Sequence, residues 1–317
     1  MNNELKEICD MTIKNYRYAV QNLRYDGDYI NHFSALLNGY HKKEIQGKEV
    51  KEIRTYIKNK TSKMSSFRGD MLYILSFLIS FNHEKRNEVI NDTISMFDLL
   101  IEEGFDESEY LILASYSIVK YTCEEEREAV IKKMVHIFNS IKEKHGNLTK
   151  QDDYLLCALL AINGCEIESI TEYMEMIFDY ISDLHLFSKN GAQGLTNSIL
   201  LNSNDNVKDN VSKLLIELEN NDLKIGYQFL QLLGVLVDDQ NIDKSIGMIK
   251  QVIEYLCAEE SEYDFYIDKD FRNMIALVIV FVTDRIKSNK YIDELLAFGT
   301  YSFLLSKNQG IFNEILA

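Results

Sequence analysis

The sequence predicts an all-α fold, most of it an array of helix hairpins. Three observations carry that prediction. The 317 residues contain no proline, the residue that most strongly breaks a helix because it lacks an N–H and clashes with the preceding turn. Strand punctuation is missing too: Asp26-Gly27-Asp28 is the nearest thing to a hairpin turn, and helical patterns rather than alternating β-branched runs flank it. One phrase recurs from Met64 onward: an amphipathic helix, a stop signal, an apolar residue, a capping residue, then a strongly apolar helix.

The apolar residue before each cap is Met64, Phe105, Leu148, Phe187, Leu223 and Ile267, at spacings of 41, 43, 39, 36 and 44. Asp106 with Glu109, Thr149 with Asp152, and Thr122 with Glu125 read as capping boxes. In these the cap side chain takes an orphan N–H and the acid three residues on reaches back. Ser65, Ser188 and Asp268 stand at the equivalent places, and Asp222 replaces Lys224 as the cap of its phrase. Gly104 and Gly146 stand where the preceding helix is expected to end in a left-handed residue.

The apolar helices are expected at Met71–Phe81, Tyr110–Val119, Tyr154–Ile162, Leu195–Leu201, Tyr227–Val237 and Met274–Val282. They are apolar nearly all round and so belong in the core. Their amphipathic partners are Glu84–Glu103, Glu124–Lys144, Glu166–Leu184, Val207–Asn220, Asp243–Leu256 and Ile292–Leu305. In the second, Val130, Met134, Ile137, Phe138 and Ile141 make one stripe. One buried and one half-buried helix about every forty residues is the pattern of HEAT- and armadillo-like α-solenoids, in which stacking buries what a lone hairpin cannot. A non-solenoid α-α superhelix or toroid gives the same local signal. The expected organisation is an N-terminal helical cap over 1–63 and about six hairpins over 64–317, forming one continuous unit.

Composition narrows the function. A net charge of −16 with a pI near 4.9 disfavours nucleic acid, which requires a basic stripe. The basic stretch from Lys42 to Lys63 sets eight Lys/Arg against three Glu and reads as a solvated helix face. Cys9, Cys123, Cys157, Cys165 and Cys257 are scattered and odd in number. They imply reduced thiols in a reducing compartment, not a disulfide frame or a zinc site. The N-terminal MNNELKEICD has acids where a secretory leader is basic and then apolar. The longest apolar tracts are about half a membrane span. The expectation is a soluble cytoplasmic protein with no membrane partner.

Several segments, Ser65-Ser66-Phe67-Arg68-Gly69-Asp70, Gly104-Phe105-Asp106, Asn147-Leu148-Thr149-Lys150-Gln151-Asp152-Asp153-Tyr154 and the LLxALLA-like Leu155–Ala161, resemble the bacterial domain-of-unknown-function family number 4003. The resemblance covers nearly the whole chain, although Gly146 stands where the family pattern has proline after the histidine. It implies a helical protein of low-GC bacteria. It implies no activity, and so no catalytic residue.

Chemistry has four candidate locations. Arg68 opposes the dipole at the start of the first apolar helix, so an anion or partner contact competes with a local bridge to Asp70. His145, Asp152 and Asp153 surround one loop; metal or acid–base chemistry competes with helix-end roles for all three. Tyr16, Arg17, Tyr18, Arg24, Tyr25 and Tyr29 are interface residue types, or packing between the first helices. Asp and Glu crowd between Glu259 and Asp270 with Tyr263, Phe265 and Tyr266 interleaved, out of register with an EF-hand, which suggests an exposed loop. Gly191-Ala192-Gln193-Gly194 reads as close helix packing. No phosphate loop, nucleophile elbow or HExxH is present, and no cofactor is implied. The chain is therefore expected to be a protein- or peptide-binding module rather than an enzyme. The alternative is an enzyme or small-ligand binder with a pocket between helices around Arg68/Asp70 and His145/Asp152.

Overall fold

The computed structural model describes residues 1–82, 85–164, 167–202, 206–238, 241–283 and 290–316. The described residues are all-helical, with sixteen α-helices and no strand. They form two compact units: Lys48–Ser203, and Met1–Gly47 together with Asn204–Ala317.

The Lys48–Ser203 unit contains α3 (Gly47–Lys60), α4 (Gly69–Asn82), α5 (Arg86–Glu102), α6 (Glu109–Tyr121), α7 (Glu124–His145), α8 (Tyr154–Ile162), α9 (Ile167–Ser182) and α10 (Lys189–Ile199). The apolar helices are α4, α6, α8 and α10. Helix α6 packs on α8 and α8 on α10, while α5, α7 and α9 each cover the next apolar helix in the chain. The Tyr116 hydroxyl on α6 donates to the Leu78 carbonyl on α4. Helix α3 lies against α4, where the Arg54 guanidinium donates to Ser76 Oγ at 2.9 Å and sits over the Tyr73 and Phe77 rings. Burial follows the stripes: Met134, Ile137 and Ile141 of α7 are buried as the spacing predicts, with Ile131 added.

The second unit contains α1 (Asn3–Asn22), α2 (Asp28–Tyr40), α11 (Val207–Asn220), α12 (Leu230–Leu236), α13 (Ile242–Glu259), α14 (Ser261–Phe265), α15 (Lys269–Thr283) and α16 (Ile292–Leu316). The hairpin of α1 and α2 packs on α13, α15 and α16. Of the segment 1–63, then, α3 lies against the first apolar helix, while α1 and α2 build a core with the end of the chain. Nothing local in the sequence specifies such a contact.

The helix boundaries follow the recurring phrase, but the caps move by a residue or more. Helix α6 is capped by Ser108, whose side chain accepts from Leu111 N at 3.2 Å, not by Asp106; Asp106 instead donates its backbone N–H to the Tyr154 hydroxyl at 3.3 Å. Helix α7 is capped at Cys123, with Glu126 reaching back to its N–H, one residue beyond the expected Thr122 and Glu125. Before α8 a 3-10 turn spans Gln151–Asp153, and Asp153 rather than Asp152 reaches back, to Lys150 N at 3.0 Å. Thr149 donates to the His145 carbonyl instead. Ser188 caps α10 as expected. Gly104 is left-handed (φ 98°) as expected, but Gly146 stays right-handed (φ −51°), because the chain continues the helical turn into the Leu148 and Thr149 N–H bonds to His145 O.

The shifted cap gives the first test. Ser108→Ala should cost about 1 kcal/mol of stability, and Asp106→Ala, which keeps its backbone bond, less than about 0.5 kcal/mol. Denaturant unfolding of the two variants should show that order. Equal costs would return the cap to Asp106.

Candidate functional site

In the unit that holds both chain ends, the two aromatic-rich segments of the sequence meet. Tyr16 and Arg17 are consecutive on α1 and so point about 100° apart, Tyr16 buried and Arg17 exposed. The Tyr16 ring stacks on His32 of α2, centroids 4.2 Å apart and planes 9° from parallel. Tyr263 of α14 closes the cluster, edge-on to His32 at 5.1 Å and 6.0 Å from Tyr16. The backbone that carries it is pinned: the Tyr263 carbonyl accepts from Arg272 Nη1 at 3.2 Å and from the Cys257 thiol. On the outer side the Arg17 guanidinium donates to Glu260 Oε2 at 2.8 Å and to the Glu259 carbonyl at 2.5 Å. Tyr29 donates to Asp268 at 2.6 Å, and Lys307 bonds the same carboxylate. The Tyr29 ring rests on Phe271 and Phe303.

Polar groups at the centre of this cluster are sealed in. His32 is 1% exposed, and its Nε2 lies 3.7 Å from Glu262 Oε1, a charge contact too long for a hydrogen bond. Both His32 ring nitrogens, the Tyr263 hydroxyl, Asn31 Oδ1 and Thr12 Oγ1 are buried without a hydrogen-bond partner. Burial lowers the His32 pKa below its ordinary value, against the pull of Glu262. Burial and the Glu262 charge raise the Tyr16 phenol. The rim is different. Tyr25, Phe265 and Tyr266 are 81%, 75% and 74% exposed, on the same two segments that the Arg17 and Tyr29 bonds hold together.

The Lys48–Ser203 unit places the other candidates. Arg68 donates to the Lys58 and Thr61 carbonyls at 2.9 and 2.6 Å. It closes the C-terminal end of α3 rather than bridging Asp70. Asp70 is half-buried, and burial with the nearby Glu109 charge raises its pKa. His145 Nε2 meets Glu175 Oε1 at 3.1 Å and its ring packs on Phe178. Asp152 accepts from Asn190 at 3.2 Å. Asp153, 4% exposed, accepts from Gln193 Nε2 at 3.1 Å, and Gln193 also reaches Thr149 Oγ1 at 3.3 Å. Burial, then the Asp152 charge, pushes the Asp153 carboxyl up to about 7. Asp153 therefore stands with Gln193 and Thr149, and Asp152 with Asn190. No hydrogen bond or ion pair among the described residues links Arg68 or Asp70 to His145 or to either aspartate. An open groove of about 570 Å³ between α3 and α5 is lined by Glu49, Tyr56 and Arg86, and is bridged by the 2.6 Å Arg86–Glu49 pair.

Sequence reading did not single out His32, Glu262 or Gln193. His32 was a lone histidine inside an apolar helix, and Gln193 was absorbed into a glycine-rich packing spot. Among the described residues, no group of three or more His, Cys, Asp or Glu is gathered to hold a metal ion, and no helix is long and apolar enough to cross a membrane. Cys9, Cys123, Cys157 and Cys257 are free thiols; Cys165 lies outside the described residues.

The model of the family described as protein of unknown function (DUF4003) matches residues 15–309, nearly the whole chain, and the chain belongs to that family. No curated protein and no solved structure matches it.

Two pH dependences follow from the buried groups. The unfolded chain protonates His32 near its ordinary value of 6.5 while the folded chain resists. The His32 contribution to stability is thus complete above that pH and is lost as pH falls below it. His32→Phe keeps the stack on Tyr16 and should flatten the loss in pH-dependent unfolding; an unchanged slope would place the titration elsewhere. Asp153 has the opposite sign. Its folded pKa lies above the 3.8 of the free side chain, so its contribution is complete at acid pH and is lost as pH rises through about 7. Asp153→Asn should remove that fall, measured by thermal melts from pH 4 to 8.

Proposed function

We propose that the chain is a protein- or peptide-binding module, its hairpins stacked in the manner of an α-solenoid. Its contact surface is the rim formed by Tyr25, Phe265 and Tyr266. The observation that carries the reading is their exposure, three large aromatic rings each more than 70% open to solvent. Singly exposed aromatics need no explanation. Phe265 and Tyr266 are neighbours, ring centroids 6.4 Å apart, and Tyr25 lies on the segment that Arg17–Glu260 and Tyr29–Asp268 tie to theirs; aromatic rings of this kind dominate binding hot spots.

Charge selects the partner. Glu259, Asp264 and Asp270 are exposed in the same stretch, and the whole chain carries −16. A segment rich in Lys and Arg gains cation–π contact with the rings and complementary potential from the acids. An acidic peptide or nucleic acid meets repulsion. Small-ligand chemistry around Arg68, Asp70, His145 and Asp152 is the weaker reading, because Arg68 and His145 already serve backbone carbonyls and Glu175.

The test is fluorescence binding of the full chain to an array of Lys/Arg-rich peptides, with charge-reversed peptides as controls. Phe265→Ala with Tyr266→Ala should weaken the best basic binder by about 10- to 100-fold and leave the unfolding midpoint nearly unchanged, because both rings are exposed. Equal binding by the variant, or no basic peptide bound, would remove the reading.

A further inference from the structure

An amphipathic helix in a stack of hairpins turns its apolar stripe inward and leaves charge outside. Helix α7 does so: every large apolar side chain on it is buried or half-buried. Helix α9 does not. From Tyr173 onward its buried face is Met174, Ile177, Phe178 and Ile181, and the helix packs on α10 and α7. Outside that face, Tyr173, Met176 and Tyr180 are 56%, 48% and 39% exposed. Positions i, i+3 and i+7 fall within about 60° of the helix circumference, so the three side chains form one row along the outer surface. Asp179 and Asp183 are exposed as well and occupy the next strip round, beyond Met176. Glu175, further round, is held by Lys144 and His145 of α7. No Lys, Arg or His of the described residues pairs with Asp179 or Asp183.

The place of α9 in the unit accounts for the row. Helix α7 has α9 against it. The unit ends at Ser203, after α10, so α9 is its last amphipathic helix. The amphipathic helix that follows in the chain, α11, packs on α12 and α13 in the other unit. The end of a helical stack is ordinarily kept soluble by a polar outer face. Here the last amphipathic helix turns two tyrosines and a methionine outward, residue types enriched at protein interfaces. Leu99 and Ile101 of α5 are exposed too, but two residues apart they point about 200° from one another and make no row. A row at i, i+3 and i+7 is the surface on which a further helix packs, with apolar residues of its own at the same spacing.

We propose that the outer face of α9 docks an amphipathic helix of a partner protein, its apolar residues on Tyr173, Met176 and Tyr180 and a row of Lys or Arg beside Asp179 and Asp183. Charge decides the occupant. A second copy of this chain brings the same acidic strip to the contact and a net charge of −16, so like charges meet. A helix edged with glutamate meets the same repulsion. A basic edge pairs with two carboxylates that have no cation of their own. The surface lies within one unit and shares no residue with Tyr25, Phe265 and Tyr266.

The experiment is fluorescence anisotropy of the full chain with a labelled helical peptide of roughly five turns, leucines at i, i+3, i+4 and i+7 and lysines along one edge. Its controls are the same peptide edged with glutamate and the same residues in scrambled order. The lysine-edged peptide should bind best. Tyr173→Ser with Met176→Ser and Tyr180→Ser should weaken it about 10- to 100-fold at a nearly unchanged melting temperature. Asp179→Lys with Asp183→Lys should reverse the preference toward the glutamate edge, which decides the matter even where the serine variant is unstable, since both positions are exposed. Phe265→Ala with Tyr266→Ala should leave this binding unchanged. The proposal is overturned if the scrambled peptide binds equally, if the α9 variants keep full affinity, or if charge reversal does not reverse the preference. If the Phe265 and Tyr266 variant loses the peptide instead, the peptide sits on those rings, which supports that surface and removes this one. Self-association in sedimentation that the serine variant abolishes makes the occupant a second copy, and also overturns the proposal.

Discussion

Every apolar helix in the Lys48–Ser203 unit must be covered on more sides than its own partner can reach, and the rest of that unit follows from this constraint. Tyr154–Ile162 contributes nine residues, of which the first eight are buried. An amphipathic helix covers one face of such a rod. The remaining faces are filled by the helices of the preceding hairpin and the apolar helix of the following one, hence the contacts of α8 with α6, α7 and α10. At roughly 0.8 kcal/mol per buried methylene, no single hairpin retains that helix against chain entropy, whereas a stack of hairpins can. The recurrence of the phrase about every forty residues is the sequence form of this need for neighbours.

A stack of this kind also determines where polar groups can be tolerated. A serine in an apolar helix folds its hydroxyl back on its own turn and needs nothing from the next hairpin. An amide cannot do that and must be met from across the interface. Gln193 is met by Asp153 and Thr149 on one end and by nothing on the other. His32, in the other unit, is stacked rather than bonded. Both sites carry desolvation that simple packing does not require. They differ in their neighbours: His32 lies 3.7 Å from one partly exposed glutamate, whereas Gln193 bonds the buried Asp153 carboxyl.

How much of this was legible depends on range. Helix spans were readable because periodicity is local: α8 and α11 match the expected Tyr154–Ile162 and Val207–Asn220 residue for residue. Several caps were readable to within one to three residues, since Ser108 and Asp106, or Asp152 and Asp153, offer equivalent oxygens and only the backbone decides between them; the expected Asp222 falls four residues short of Gly226, where the turn before α12 begins. The packing of α1 and α2 on α13, α15 and α16 was not readable, because a contact across more than two hundred residues leaves no periodic trace. The same limit hid the candidate site. Tyr16 and Arg17 were visible as one aromatic cluster and Tyr263, Phe265 and Tyr266 as another, but only the fold joins them. Gln193 was missed for a different reason: its flanking glycines suggested close packing, and they drew the reading away from the amide between them.

The two units therefore put their exceptional residues to different uses. In one, the outlying rings are outside, and beneath them the buried polar atoms of His32, Tyr263, Asn31 and Thr12 pack without hydrogen-bond partners; in the proposed role that packing keeps the contact surface rigid. Arg17 and Tyr29 each bond across to the acidic segment around α14, which fixes that segment in the free protein; under the proposed binding role this lowers the entropy lost on association. In the other, the exceptional polar groups are inside, between α8 and α10. The exposed rings and the buried seam can vary independently in one chain, because no residue belongs to both.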